Sequence, residues 1–159
     1  MKVLVVGGGG REHAMAWCIA KSPRIQKVYV MPGNGGTACD PRLENVAIDP
    51  ARDPQAAADF VKDNGIALTV VGPEAPLAAG IVDIFQKGNL AIFGPVAAAA
   101  RLESSKDFAK RFMQEHGIPT AEFETFSDSQ KAHDYVDTKG APIVIRLMVS
   151  RLERVSSLP

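Results

Sequence analysis

Two hydrophobic periods alternate along this chain. Short β-branched or aliphatic runs at residues 3–6, 28–31, 68–71 and 91–93 are too brief for helices and predict strands, the first of them buried. Between them, apolar residues recur at helical spacing over 11–21, 77–87 and 96–102. A further helix starts at Asp53, carries Ala57, Phe60 and Val61 on one face, and stops at Asn64-Gly65. Strand and helix in turn predict an α/β, Rossmann-like unit, a parallel sheet covered by helices.

A second unit is expected from about Ser104. Ser105 is placed to cap a helix running through Phe108, Phe112 and Met113 to His116, with Gly117 as its stop. An extended stretch at 122–126, a helix over 129–138 and a strand at 143–145 follow. That order resembles the opening of another domain. After Ile145 the pattern dissolves into arginines, serines and scattered apolar residues with neither period, and glycine disappears.

Composition narrows the classes. With 159 residues, 46% of them hydrophobic, the chain can bury one ordinary core or a core with a small appendage. Eighteen basic residues balance eighteen acidic ones, so no global field draws it to nucleic acid or to an anionic membrane. Cys18 and Cys39 lack C-x-x-C spacing and read as reduced thiols. The amino-terminal apolar run is too short for a signal peptide or a membrane span, so a cytoplasmic location is expected.

The most informative segment is Gly7-Gly8-Gly9-Gly10, between the first strand and a helix beginning Arg11-Glu12-His13. Glycines allow close approach of a ligand, and the free N–H groups and dipole of a helix start favour an anion such as phosphate. Arg11 adds a guanidinium able to grip phosphate through two bonds. The plain alternative is a tight strand-to-helix turn with no ligand. A dinucleotide site fits poorly: in G-x-G-x-x-G the third glycine falls on Glu12 or His13, and Met31-Pro32-Gly33-Asn34 stands where a ribose-binding acid is expected. No Walker-type phosphate loop is present.

Two further loops fall at strand ends, where ligands gather in doubly wound sheets. Residues 32–37, PGNGGT, offer permissive backbone and the amide of Asn34 beside Gly35. Residues 71–77, VGPEAPL, hold the Glu74 carboxylate between Pro73 and Pro76, suited to ribose hydroxyls or an amine. The alternative for each is turn chemistry with a solvated side chain. His13 and His116 read as structural, His133 as a surface residue, and Trp17 and Met15 as core or helix-face packing. No metal-ligand cluster stands out.

Residues 2–14 (KVLVVGGGGREHA), 32–36 (PGNGG), 70–80 (VVGPEAPLAAG), 105–110 (SKDFAK) and 116–120 (HGIPT) occur in that order. The ordered set resembles the glycinamide ribonucleotide synthetase, or phosphoribosylamine–glycine ligase, family, from Met1 to about Ile145. The resemblance implies a pre-ATP-grasp domain over 1–103, the incomplete start of an ATP-grasp domain over 104–145, and a tail over 146–159 outside the family pattern. It implies a ligase of purine biosynthesis, joining glycine to 5-phosphoribosylamine with ATP and Mg²⁺ through glycyl phosphate. The implied substrate-binding residues are Gly8, Gly9, Gly10, Arg11, Asn34, Gly35, Glu74 and Pro76. Lys106 of the Ser-Lys element is implied to approach ATP phosphates as a point charge.

The family continues past this point in the sense I-K-A-D-G-L-A-A-G-K-G-V-V-V-A-M. Written in permissible codons with one adenine removed from the lysine codon, that peptide translates to residues 145–159 of this chain and then a stop. A single-base frameshift is therefore the expected origin of the tail. With the ATP loop, later metal carboxylates and glycine site beyond it, this chain is expected to bind no ATP or Mg²⁺ and to be inactive alone. Uncovered apolar surface near 123–145 is expected to promote self-association. Two other classes stay open, a non-catalytic phosphosugar-binding or interaction module and a dinucleotide-binding oxidoreductase domain.

Overall fold

A computed structural model describes residues 1–146. The tail beyond residue 146, expected to be unmatched to the fold, lies outside the described residues. The chain divides into two compact units, residues 1–120 and the described residues 121–146.

The first unit is built on a parallel sheet of five strands: β1 (Lys2–Gly7), β2 (Lys27–Pro32), β3 (Leu43–Asn45), β4 (Leu68–Val71) and β5 (Ile92–Phe93). Their order across the sheet is β3-β2-β1-β4-β5, with Val5 of β1 opposite Val30 on one side and Val70 on the other. The central strand has apolar side chains on both faces because both are covered. Leu4 and Val6 face a core containing Tyr29, Met31, Val71, Ile81 and Phe85, whereas Val5 faces Ala16, Val28, Val30 and Leu43.

Helix α1 (Gly10–Ala20) supplies Ala16 to the Val5 face. Helices α3 (Pro54–Asp63) and α5 (Ile81–Lys87) supply Ala57, Ala58, Val61, Ile81, Val82 and Phe85 to the opposite face. Asp53 caps α3 by accepting from the Ala56 amide at 2.8 Å, with Pro54 in the first turn, as its place before the apolar stripe predicts. The single helix expected over 77–87 is two, α4 (Glu74–Ala78) and α5, because Gly80 turns left-handed at φ +85°. Two short elements escaped the hydrophobic pattern: α2 (Gly35–Cys39) and β3.

Helices α6 (Ala97–Ser104) and α7 (Lys106–Glu115) belong to this same compact unit. Ser105 Oγ accepts from the Phe108 amide at 3.3 Å and caps α7, and the Arg101 guanidinium lies 4.1 Å from the Phe108 ring centre. His116 ends α7 with its ring 4.2 Å from that of Phe112. Trp17, expected in packing, is instead exposed on α1 with the Lys21 ammonium over its ring; Met15, just before it on the same helix, packs against the core.

In residues 121–146 the one assigned element is α8 (Ser129–Lys139), capped by the Asp128 carboxylate, which accepts from the Gln130 and Lys131 amides. None of its residues is buried. The strand expected at 143–145 is not formed, and Val144 and Ile145 are 81% and 77% exposed. Without a neighbouring strand to bond, a β-branched run has nothing to pair with.

Candidate functional site

Strands β2, β1 and β4 are adjacent, so the loops leaving their carboxyl ends meet at one edge of the sheet. The order reverses direction at β1, which is where a doubly wound sheet opens a crevice. Backbone bonds tie the loops to β1: the Gly33 amide donates to the Gly7 carbonyl at 3.4 Å, and the Gly72 amide donates to that of Val6 at 3.1 Å.

The glycine loop is open on its outer side. Gly8, Gly9, Gly10 and Arg11 are exposed, and the start of α1 has no side-chain cap. A Cβ at Gly10 would meet nothing within 4 Å. The N-cap residue Gly9 has no side chain to bond the first-turn amides of this eleven-residue helix, and such a helix start favours an anion. Arg11, with an 81% exposed side chain, stands at the same end.

Underneath, the loop is filled by Glu12. This residue is 3% exposed. Its Oε2 accepts from the Gly9 amide at 2.8 Å, while Oε1 is buried with no hydrogen-bond partner and lies 4.0 Å from Arg11 Nε. A Cβ on Gly7 or Gly72 would run into the Glu12 side chain, and one on Gly9 would come within 2.6 Å of Oε2. A Cβ on Gly8 would sit 2.8 Å from the Gly33 carbonyl oxygen. Most of these glycines thus make room for the protein's own atoms; Gly10 alone of the four opens to free space. In the sequence, Glu12 stands out only as the occupant of a missing glycine position. The signal available was the pairing of a glycine cluster with one acid three residues into the helix.

Asn34 is engaged at both ends of its amide. Its Oδ1 accepts from the Thr37 amide at 3.0 Å, capping α2, and its Nδ2 donates to the Gly8 carbonyl at 3.0 Å, tying the second loop to the first. Thr37 Oγ1 donates to Asn45 Oδ1 at 2.7 Å, and Asn45 Nδ2 donates to the Asn34 carbonyl at 2.9 Å. The Asn45 side chain packs against Gly33, whose φ of +77° favours glycine. Asn34 therefore shapes the crevice, and Gly35 stands exposed beside it with open space around its Cα. The half-buried His13 ring lies against Gly36.

Glu74 opens α4 directly after β4 and is half-buried. Pro76 is buried with Leu77, under the surface rather than on it. Lys106 is exposed in the first position of α7 and is not among the residues gathered by the three loops. Beyond α2, the Arg42 side chain and backbone N–H bind the Asp40 carboxylate and pull its pKa down to about 2. Among the described residues no group of three His, Cys, Asp or Glu side chains could hold a metal ion. No helix of the described residues is long and apolar enough to cross a membrane.

Residues 1–103 match the family model of the phosphoribosylglycinamide synthetase N domain, and residues 104–150 match that of the same enzyme's ATP-grasp (A) domain. The chain belongs to the phosphoribosylglycinamide synthetase family. Among curated members, the phosphoribosylamine–glycine ligase of Ralstonia nicotianae is 64% identical over 146 residues and that of Neisseria meningitidis serogroup B is 56% identical over 146 residues. Each alignment covers 92% of this chain and 34% of the relative, so the chain spans about a third of the length of these synthetases. Solved structures agree on the fold. The structure of glycinamide-RNase-transformylase T from Mycobacterium tuberculosis superimposes with a TM-score of 0.64 at 14% identity, over 89% of this chain and 40% of that one. The biotin carboxylase domain of Hydrogenobacter thermophilus 2-oxoglutarate carboxylase, solved with MgADP, ADP and bicarbonate, gives 0.62 at 16% identity, over 89% of this chain and 33% of that one.

Proposed function

We propose that this chain carries the phosphosugar-recognising part of a phosphoribosylamine–glycine ligase: the N domain over 1–103 and the opening of the ATP-grasp domain over 104–145. The whole reaction joins glycine to 5-phosphoribosylamine at the expense of ATP. In it, this region's work is to hold the sugar. The observation that carries the reading is the exposed, glycine-lined start of α1 at the crevice between β1 and β4, with Arg11 beside it.

The roles follow from the chemistry available. The amides of the first turn of α1 and the Arg11 guanidinium bind the 5-phosphate. Glu74, at the start of α4, accepts hydrogen bonds from ribose hydroxyls or the sugar amine. Asn34 holds the second loop against the first, so that Gly8 and Gly35 border the pocket. Lys106 acts on nucleotide phosphates only together with the region that the longer relatives add.

Thermal unfolding tests this. Ribose 5-phosphate at millimolar concentration raises the midpoint by a few degrees, because a ligand that binds only the folded state stabilises it by mass action. ATP with Mg²⁺ leaves it unchanged. A shift with NADH and none with ribose 5-phosphate would favour the dinucleotide reading instead, against which the buried Glu12 argues by filling the floor of the loop.

A further inference from the structure

Glu12 touches two of the three loops. Through Oε2 it holds the Gly9 amide of the glycine loop, and its Oε1 is the atom that a Cβ on Gly72 would strike first, in the loop leading to Glu74. An apolar side chain of similar size would fill this space without leaving an acceptor unpaired, and burying such an acceptor is unfavourable. The position is nevertheless a carboxylate, 3% exposed, with no hydrogen bond to its Oε1. What the carboxylate adds over an apolar filler is directional: a bond into one loop, contact with the other, and a pull on the Arg11 guanidinium 4.0 Å away. At 7, 9 and 72 only glycine leaves the Glu12 side chain its space, because a Cβ at any of them would run into it.

We propose that Glu12 is a positioning residue that fixes the spacing between the phosphate-binding glycine loop and the Glu74 loop, so that a ligand is gripped at its phosphate and at its sugar together. The inference rests on the phosphosugar reading above. It makes Glu12 responsible for selectivity between a phosphorylated sugar and a bare anion: phosphate alone needs only the start of α1 and Arg11, whereas the sugar needs Glu74 at the correct distance as well.

The test is a pair of NMR titrations, with ribose 5-phosphate and with inorganic phosphate, on the 159-residue chain and on Glu12→Gln, with thermal melting alongside. Glutamine keeps the length and one oxygen for the Gly9 amide, but turns an NH₂ toward Gly72 and removes the charge facing Arg11. The variant is expected to melt near wild type, to bind ribose 5-phosphate roughly tenfold more weakly, and to bind inorganic phosphate at least as tightly as wild type, because the charge it removes from beside Arg11 repels an anion. Gly72→Ala pushes a methyl into the same contact from the other loop and is expected to give the same selective loss; it carries the test if Glu12→Gln does not fold. Equal weakening of both ligands, or of neither, in a folded variant overturns the inference while the phosphosugar reading stands. If neither variant folds, Glu12 is structural alone and the inference falls. A wild-type chain that binds neither ligand overturns the phosphosugar reading and the inference with it.

Discussion

Residues 3–6 and 143–145 are written in the same alphabet of valine, leucine and isoleucine, yet they end differently. Val5 is fully buried between two parallel neighbours; Val144 is 81% exposed and pairs with no strand. The same contrast separates the two units. Residues 1–120 enclose two apolar clusters on either side of a sheet, whereas α8 buries none of its residues. The described contacts of the second unit include an exposed Lys139–Glu122 pair at 2.7 Å and the Phe126 and Tyr135 rings 5.3 Å apart. Strand propensity is a preference for a pleated surface that other elements cover, and it has no effect where the cover is missing.

The contrast is sharpest in the main apolar cluster. Phe85, fully buried there, is expected to cost about 3–5 kcal/mol on replacement by alanine, read as a lowered urea midpoint. Val144→Ala is expected to stay within about 0.5 kcal/mol by the same measurement. A comparable loss at both sites would show that residues 143–145 are packed after all. An intermediate effect is expected at Asn34→Ala, which removes the cap of α2 and the tie to Gly8: about 1–2 kcal/mol. Its signature is local, with amide exchange quickening in residues 33–39 before the sheet loosens.

The smallest effect compares one ion pair from each region, the Asp40–Arg42 pair and the Glu122–Lys139 pair. Asp40 is drawn down to about 2 by the Arg42 side chain and then by its backbone amide; Glu122 is lowered by the hydrogen bond from Lys139 and then by its charge. In both, the folded pKa lies below the unfolded one. The contribution of Asp40 is thus complete above its ordinary value of 3.8 and is lost as the pH falls through about 2. Carboxylate NMR titration should place the Asp40 midpoint near 2 and return it toward 3.8 in Arg42→Ala. An unmoved midpoint would break the assignment of cause.

Much of the first unit was legible because period and punctuation agreed. The apolar runs became β1, β2, β4 and β5, and Asp53 and Ser105 cap the helices they precede. What escaped did so for physical reasons. Strand β3 has three residues and one buried apolar side chain, too few to form a pattern. The PGNGGT loop reads as turn chemistry, but the Asn34 side chain bonding to Thr37 winds it into α2. In the site, the convergence of three loops followed from strand order, whereas the part played by Glu12 did not. Nothing in linear spacing says that Gly72, far along the chain, leaves room for the same carboxylate as Gly7 and Gly9.

The outer strands of the sheet have a further consequence. At one margin β3 has three residues and at the other β5 has two, so each flank offers only a few unpaired peptide groups. A ribbon so short is a poor template on which a foreign strand could grow, and parallel sheets with long bare margins carry that hazard. Crowding this molecule is therefore expected to join copies through greasy side chains such as Phe93, 71% exposed, giving amorphous and reversible clusters rather than fibrils.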